Sequence, residues 1–71
     1  MPENAILAKN VKGLRNKMGQ TQEAFAAGCD LSKEIISLIE RGKSDPKLST
    51  VKKIAAYTAS TVAELYTDYP D

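Results

Sequence analysis

Seventy-one residues, 42% apolar and 27% charged, make one small globular domain whose core supplies about 3–5 kcal/mol, leaving room for packing and one functional face. The lack of histidine and the single cysteine, Cys29, exclude a four-ligand zinc site and an internal disulfide. The net charge of +1 is low for a nucleic-acid binder, but positions 1–53 hold ten bases against six acids, net +4, and residues 54–71 hold three acids and no base, net −3. On charge alone that split fits best a solvated mixed surface; the sharper reading is one face turned to an anionic partner and another turned away.

The N-terminal Met1-Pro2-Glu3-Asn4 lacks the basic region of a secretory signal, and the apolar run Ala5-Ile6-Leu7-Ala8 is far too short to span a membrane. The expected setting is therefore soluble, reducing and cytoplasmic. Leu7, Val11, Leu14 and Met18 step by four, three and four, which predicts a helix from about Asn4 to Met18, with Gly13 inside it and Gly19 as its stop. Thr21 is the expected N-cap of a second helix running to about Cys29, with Glu23 in its first turn and Ala27–Gly28 available for close packing. Asp30 marks a tight turn, since aspartate tolerates the left-handed region. Ser32 caps a third helix through Glu40 or Arg41, and Gly42 ends it. Gly42 to Pro46 is loop. A fourth helix spans about Leu48 to Thr58, with Leu48, Val51, Ile54 and Ala55 inward. Thr61 and Glu64 form a capping box that opens a short fifth helix to about Tyr66, and the residues after it are a tail.

Two short helices joined by Asp30-Leu31 cannot lie antiparallel and cross at a steep angle, as in a helix-turn-helix, where the second helix is held out to enter the DNA major groove. At 100° per residue, Ile35, Ile36 and Ile39 fall on one side of that helix and Lys33, Glu34, Ser37, Leu38 and Arg41 on the other. The second set offers groups that read base edges: lysine to guanine, glutamate to the cytosine amine, leucine to the thymine methyl, serine to several. Periodicity alone fits an ordinary amphipathic surface helix as well.

Leu14-Arg15, Thr21-Gln22-Glu23, Phe25-Ala26, Ser32, Ile36-Ser37, Ile39-Glu40-Arg41-Gly42-Lys43, Pro46, Leu48, Thr50-Val51 and Ile54-Ala55 together resemble the XRE-type, Cro/repressor-like helix-turn-helix family. The resemblance runs from about Val11 to Leu65, and its most specific part is the segment from Ser32 to Lys43. It implies an all-α, compact, five-helix lambda-repressor-like DNA-binding domain over residues 1–71, with the helix-turn-helix at about 21–41, acting as a dimer on a palindromic operator. By the same resemblance, Lys33, Glu34, Ser37 and Leu38 read bases. Gln22, Ser32, Arg41, Lys43 and Lys47 contact the DNA backbone, and Arg15 pairs with Glu40. An exposed carboxylate is the plain alternative for Glu40.

The chain departs from the family pattern at several positions. Asp30 stands where glycine is usual and Gly28 comes two residues early, which leaves the turn open to distortion. Gln20 replaces an apolar residue and Lys47 a small cap. Tyr57-Thr58-Ala59-Ser60 replaces a pattern nearer Ala-Leu-Gly-Val. Glu34 disfavours phosphate-rich DNA in general and sharpens selectivity. Cys29 is expected in the core. The acidic region from Thr61 to Tyr69 is the expected homodimer interface, with Leu65, Tyr66 and Tyr69 in it; Tyr66 and Tyr69 fit equally well as a cover for the fifth helix.

The expected function is a sequence-specific transcriptional regulator, a phage-type repressor or small controller protein, encoded by a prokaryote or phage, with double-stranded DNA as partner. The competing reading is an antitoxin or interaction module of the same fold, whose main partner is a protein such as a toxin or antirepressor. An enzyme is not expected: there is no histidine, metal cluster or glycine-rich phosphate loop to start from, and no cofactor is implied.

Overall fold

The computed structural model describes residues 3–70; Met1, Pro2 and the final Asp71 of the tail lie outside the described residues. Five helices carry the chain: α1 (Glu3–Lys17), α2 (Gln22–Gly28), α3 (Lys33–Glu40), α4 (Leu48–Tyr57) and α5 (Val62–Leu65). There is no strand among the described residues.

The first four helices end alike. The residue after each C-cap takes a left-handed conformation, at Gly19 (φ 68°), Asp30 (φ 59°), Gly42 (φ 67°) and Ala59 (φ 55°). The next amide then reaches back to close the helix end: Gln20 to the Arg15 carbonyl, Leu31 to Ala26, Lys43 to Leu38 and Ser60 to Ala55. Three of these stops lead directly into a new N-cap. The hydroxyls of Thr21, Ser32 and Thr61 accept from the amides of Ala24, Ile35 and Glu64. Glu64 returns the bond to the Thr61 amide at 2.8 Å. The turn at Asp30 is thus a regular helix stop, undistorted by the missing glycine. After Gly42 a longer loop leads to Lys47, which caps α4 without a side-chain bond.

The core is drawn from every helix: Leu7 and Val11, Phe25 and Ala26, Ile36 and Ile39, Val51, Ile54 and Ala55, Leu65, with Cys29 at the end of α2. α3 packs chiefly against α1 and α2. Three residues expected to face inward do not. Met18 is the C-cap of α1 and is exposed. Leu48 has the right phase but occupies the first residue of α4, past the edge of the core, and is exposed. Ile35 is 37% exposed. It lies about 70° around the helix from the line through Ile36 and Ile39, at the boundary of a stripe only two residues wide.

The joint between α4 and α5 places polar Thr58 and Ser60 where the family pattern is apolar. The Thr58 hydroxyl lies 2.8 Å from the Ile54 carbonyl and 3.1 Å from the Ser60 hydroxyl, so both half-buried groups are satisfied. Beyond α5 the chain turns back along α1. Asn10 donates both amide hydrogens, to the carbonyls of Leu65 and Thr67 at 2.8 Å each. Lys9 reaches the Tyr69 carbonyl at 3.2 Å and the Asp68 carboxylate at 3.8 Å. Among the described residues no helix is long and apolar enough to cross a membrane.

Candidate nucleic-acid interface

α3 is anchored by Ile36 and Ile39, which are 0% and 1% exposed. Its opposite side gathers Lys33, Glu34, Ser37, Leu38 and Arg41 around one open concavity of about 350 Å³. A second, of about 650 Å³, lies between the first turn of α2 and the start of α3, lined by Thr21, Gln22, Glu23, Ala24, Ala27 and Lys33. Lys33 belongs to both, so the residues expected to read bases border directly on those expected to hold backbone. Lys43 and Lys47 stand apart, exposed on the loop between α3 and α4. The Ser32 hydroxyl accepts from the Ile35 amide at 3.2 Å, leaving its own hydrogen to donate. Arg41 is exposed and its Nε donates to the Ser37 carbonyl at 3.3 Å.

Behind this face lies a chain of polar side chains. Arg15 Nε donates to Glu40 Oε2 at 2.7 Å and its Nη2 to Oε1 at 3.0 Å. The Glu40 side chain is 3% exposed and that of Arg15 14%, so the pair is shielded from solvent. The hydrogen bond to Glu40 raises the Arg15 pKa and the charge attraction adds to it, against desolvation. Arg15 Nη1 also donates to the Gln20 carbonyl at 2.9 Å. Gln22 Nε2 donates to Glu40 Oε1 at 3.2 Å, which leaves the second hydrogen of that amide available to an outside acceptor.

The Gln20 side chain accepts from the Tyr57 hydroxyl at 2.9 Å, and the Tyr57 ring meets Phe25 edge-on, with centroids 5.5 Å apart. A Cβ on Gly28 would overlap that ring. Gln20, Gly28 and Tyr57 are therefore one coupled arrangement. Reading each position separately could not find it. The clue was that an unexpected amide, an early glycine and a tyrosine all depart from the pattern together.

The turn between α2 and α3 receives a solvent-exposed contact from α4. Lys53 Nζ lies 3.6 Å from the Asp30 carboxylate and 3.4 Å from its carbonyl. Cys29, beside that turn, is 3% exposed, and burial pushes its thiol up to about 11, so it is unreactive.

The expected dimer residues divide three ways. Leu65 is 1% exposed and packs in the core of its own chain, so it has no surface left to bury against a second copy. That expectation is corrected. Tyr66 is half-buried against the core, its hydroxyl pKa raised by burial and by the charges of Asp45 and Glu3. Tyr69 is exposed.

The sequence profile of the helix-turn-helix family matches residues 11–65. The chain is similar to the control protein C.MunI of a Mycoplasma species, 39% identical over 54 residues, covering 76% of this chain and 73% of that protein. It is similar to the cryptic phage CTXphi transcriptional repressor RstR of Vibrio cholerae, 32% identical over 63 residues, covering 89% of this chain and 57% of that protein. Among solved structures, the hypothetical transcription factor NHTF from Neisseria superposes with a TM-score of 0.88 at 30% identity, covering 94% of this chain and 77% of that one. The match spans most of the chain and includes both helices of the motif, their turn and the buried anchor: this protein belongs to the helix-turn-helix family of DNA-binding transcription regulators.

Proposed function

We propose that the protein is a sequence-specific regulator, of the repressor or controller kind, that binds a palindromic operator as a homodimer inside a prokaryotic cell. The observation that carries this reading is the concavity on α3, where Lys33, Glu34, Ser37 and Leu38 converge opposite the buried anchor of Ile36 and Ile39. These four read bases, each good contact contributing about 1–3 kcal/mol of discrimination. Gln22, Ser32, Arg41, Lys43 and Lys47 hold the backbone and set register. One short helix reads too few base pairs for selectivity, so two half-sites about 34–36 Å apart are expected. The acidic end of the chain, with exposed Tyr69, is the face proposed for the second copy, because it leaves the basic part free for DNA.

Selection of bound sequences from a random pool, followed by Lys33→Ala and Lys43→Ala on the enriched site and its variants, tests the reading. Lys33→Ala is expected to change base preference. Lys43→Ala is expected to weaken all sequences alike and to reduce the salt slope by about one counterion. Uniform loss in both variants overturns α3 as the reader. If no sequence is enriched and affinity is independent of salt, the weight moves to a protein partner.

A further inference from the structure

Five large apolar side chains are exposed among the described residues, and two of them, Ile35 and Leu38, lie on the eight-residue α3. Local folding gives no reason for an isoleucine there, since an exposed β-branched residue lowers helix propensity. The core accounts for only part of each side chain: Ile35 is 37% and Leu38 41% exposed, and the helix is already anchored by Ile36 and Ile39. Residues three apart on a helix are surface neighbours, so Ile35 and Leu38 form one continuous apolar edge. Leu38 lines the concavity with Lys33, Glu34 and Ser37, and Ile35, outside that lining, extends the edge into the first turn of α3, the end of a recognition helix that reaches base edges.

Among the groups a duplex offers in its major groove, one is apolar, the 5-methyl of thymine. Resting on the operator reading above, we propose that Ile35 and Leu38 together are a specificity edge that requires thymine methyl groups in each half-site. Three helical residues rise about 4.5 Å, and successive bases on one strand are about 3.4 Å apart, so the two side chains address neighbouring or next-neighbouring base pairs. The rest of the helix cannot supply this selectivity. Lysine, glutamate and serine hydrogen-bond to base edges, and none of them distinguishes thymine from uracil.

The test uses the full chain and the enriched operator, with each thymine replaced in turn by deoxyuridine, which removes the methyl and keeps the pairing. At two positions per half-site the wild-type protein should bind about three- to tenfold more weakly, the size expected for one buried methyl. In Ile35→Ala and Leu38→Ala, one of those deoxyuridine penalties should disappear, a different one in each variant. Melting curves confirm that the variants fold, and the wild-type deoxyuridine series stands without them. Indifference of the wild type to every deoxyuridine overturns the proposal while leaving sequence-specific binding intact. Penalties that persist unchanged in both variants overturn it as well, by assigning the methyl contact to other residues. Failure to enrich any sequence is a different result and overturns the operator reading itself.

Discussion

Two turns of this small protein have the same backbone and opposite chemistry. Gly28-Cys29-Asp30-Leu31-Ser32 joins α2 to α3, and Tyr57-Thr58-Ala59-Ser60-Thr61 joins α4 to α5. In each, the third residue is left-handed, the fourth closes the preceding helix and the fifth caps the next. In the first turn Cys29 and Leu31 face apolar surroundings, and the left-handed residue is an exposed aspartate within reach of Lys53. In the second, Thr58 and Ser60 satisfy each other, and the left-handed residue is an unsupported alanine. The opening residues of the two turns touch, because Tyr57 occupies the space that a side chain at Gly28 would need. The backbone pattern is thus general, and it tolerates side chains of opposite character. The first of the two positions α3.

The largest expected effect lies outside both turns, in the ion pair that ties α1 to the end of α3. Arg15→Ala leaves the Glu40 carboxylate shielded with only the Gln22 amide beside it and no cation, which costs about 3–5 kcal/mol. That approaches the whole stability of a domain this size, and thermal unfolding should show it against an unchanged Lys12→Ala control. The contact between the turns comes next. Gly28→Ala must displace the Tyr57 ring from Phe25 and from Gln20, at about 1–3 kcal/mol. Combining it with Tyr57→Leu should remove most of that penalty, and a double-mutant cycle in denaturant measures the coupling.

The third break is by pH. The thiol of the unfolded chain ionises near 9.0, while the folded thiol holds its proton to about 11. The unfolded state alone gains by ionising in that window, so stability is intact below pH 9 and falls by roughly 2 kcal/mol as pH rises to 11, at about 1.4 kcal/mol per unit. Cys29→Ala should lose that part of the alkaline slope; equal slopes in the two proteins would refute it. The smallest effect sharpens the contrast in the other direction. Ala59→Gly relieves a left-handed alanine and should stabilise by about 0.5–1 kcal/mol, a few degrees in Tm. Asp30→Gly should gain little, since aspartate tolerates this conformation and the change gives up the Lys53 carboxylate contact.

The local grammar was legible in the sequence. Thr21, Ser32 and Thr61 announce their helices because a capping bond spans only three residues, and every helix end fell within about two residues of expectation. The resemblance to the family carried the fold, and periodicity carried the buried pair Ile36 and Ile39. Burial at helix ends was not legible: Ile35 and Leu48 have plausible phase, but the edge of the core is a tertiary fact. Leu65 failed in the reverse sense, as an interface residue that its own chain had already covered. The Asn10 clamp was out of reach because its acceptors lie 55 and 57 residues away. Gln20, Gly28 and Tyr57 were each visible as departures. That they compensate for one another appears only once α4 lies against α2.

Cys29 has one further consequence. It is the sole sulfhydryl in the chain, sealed at the seam of the two motif helices. An electrophile in solution can reach it only while that seam is open, so the rate of covalent capture counts openings rather than collisions. Any molecule that binds the closed form alone makes openings rarer, about a hundredfold at a hundred times its dissociation constant. The protein therefore carries its own occupancy gauge, readable by mass with no label attached to it or to the molecule it binds.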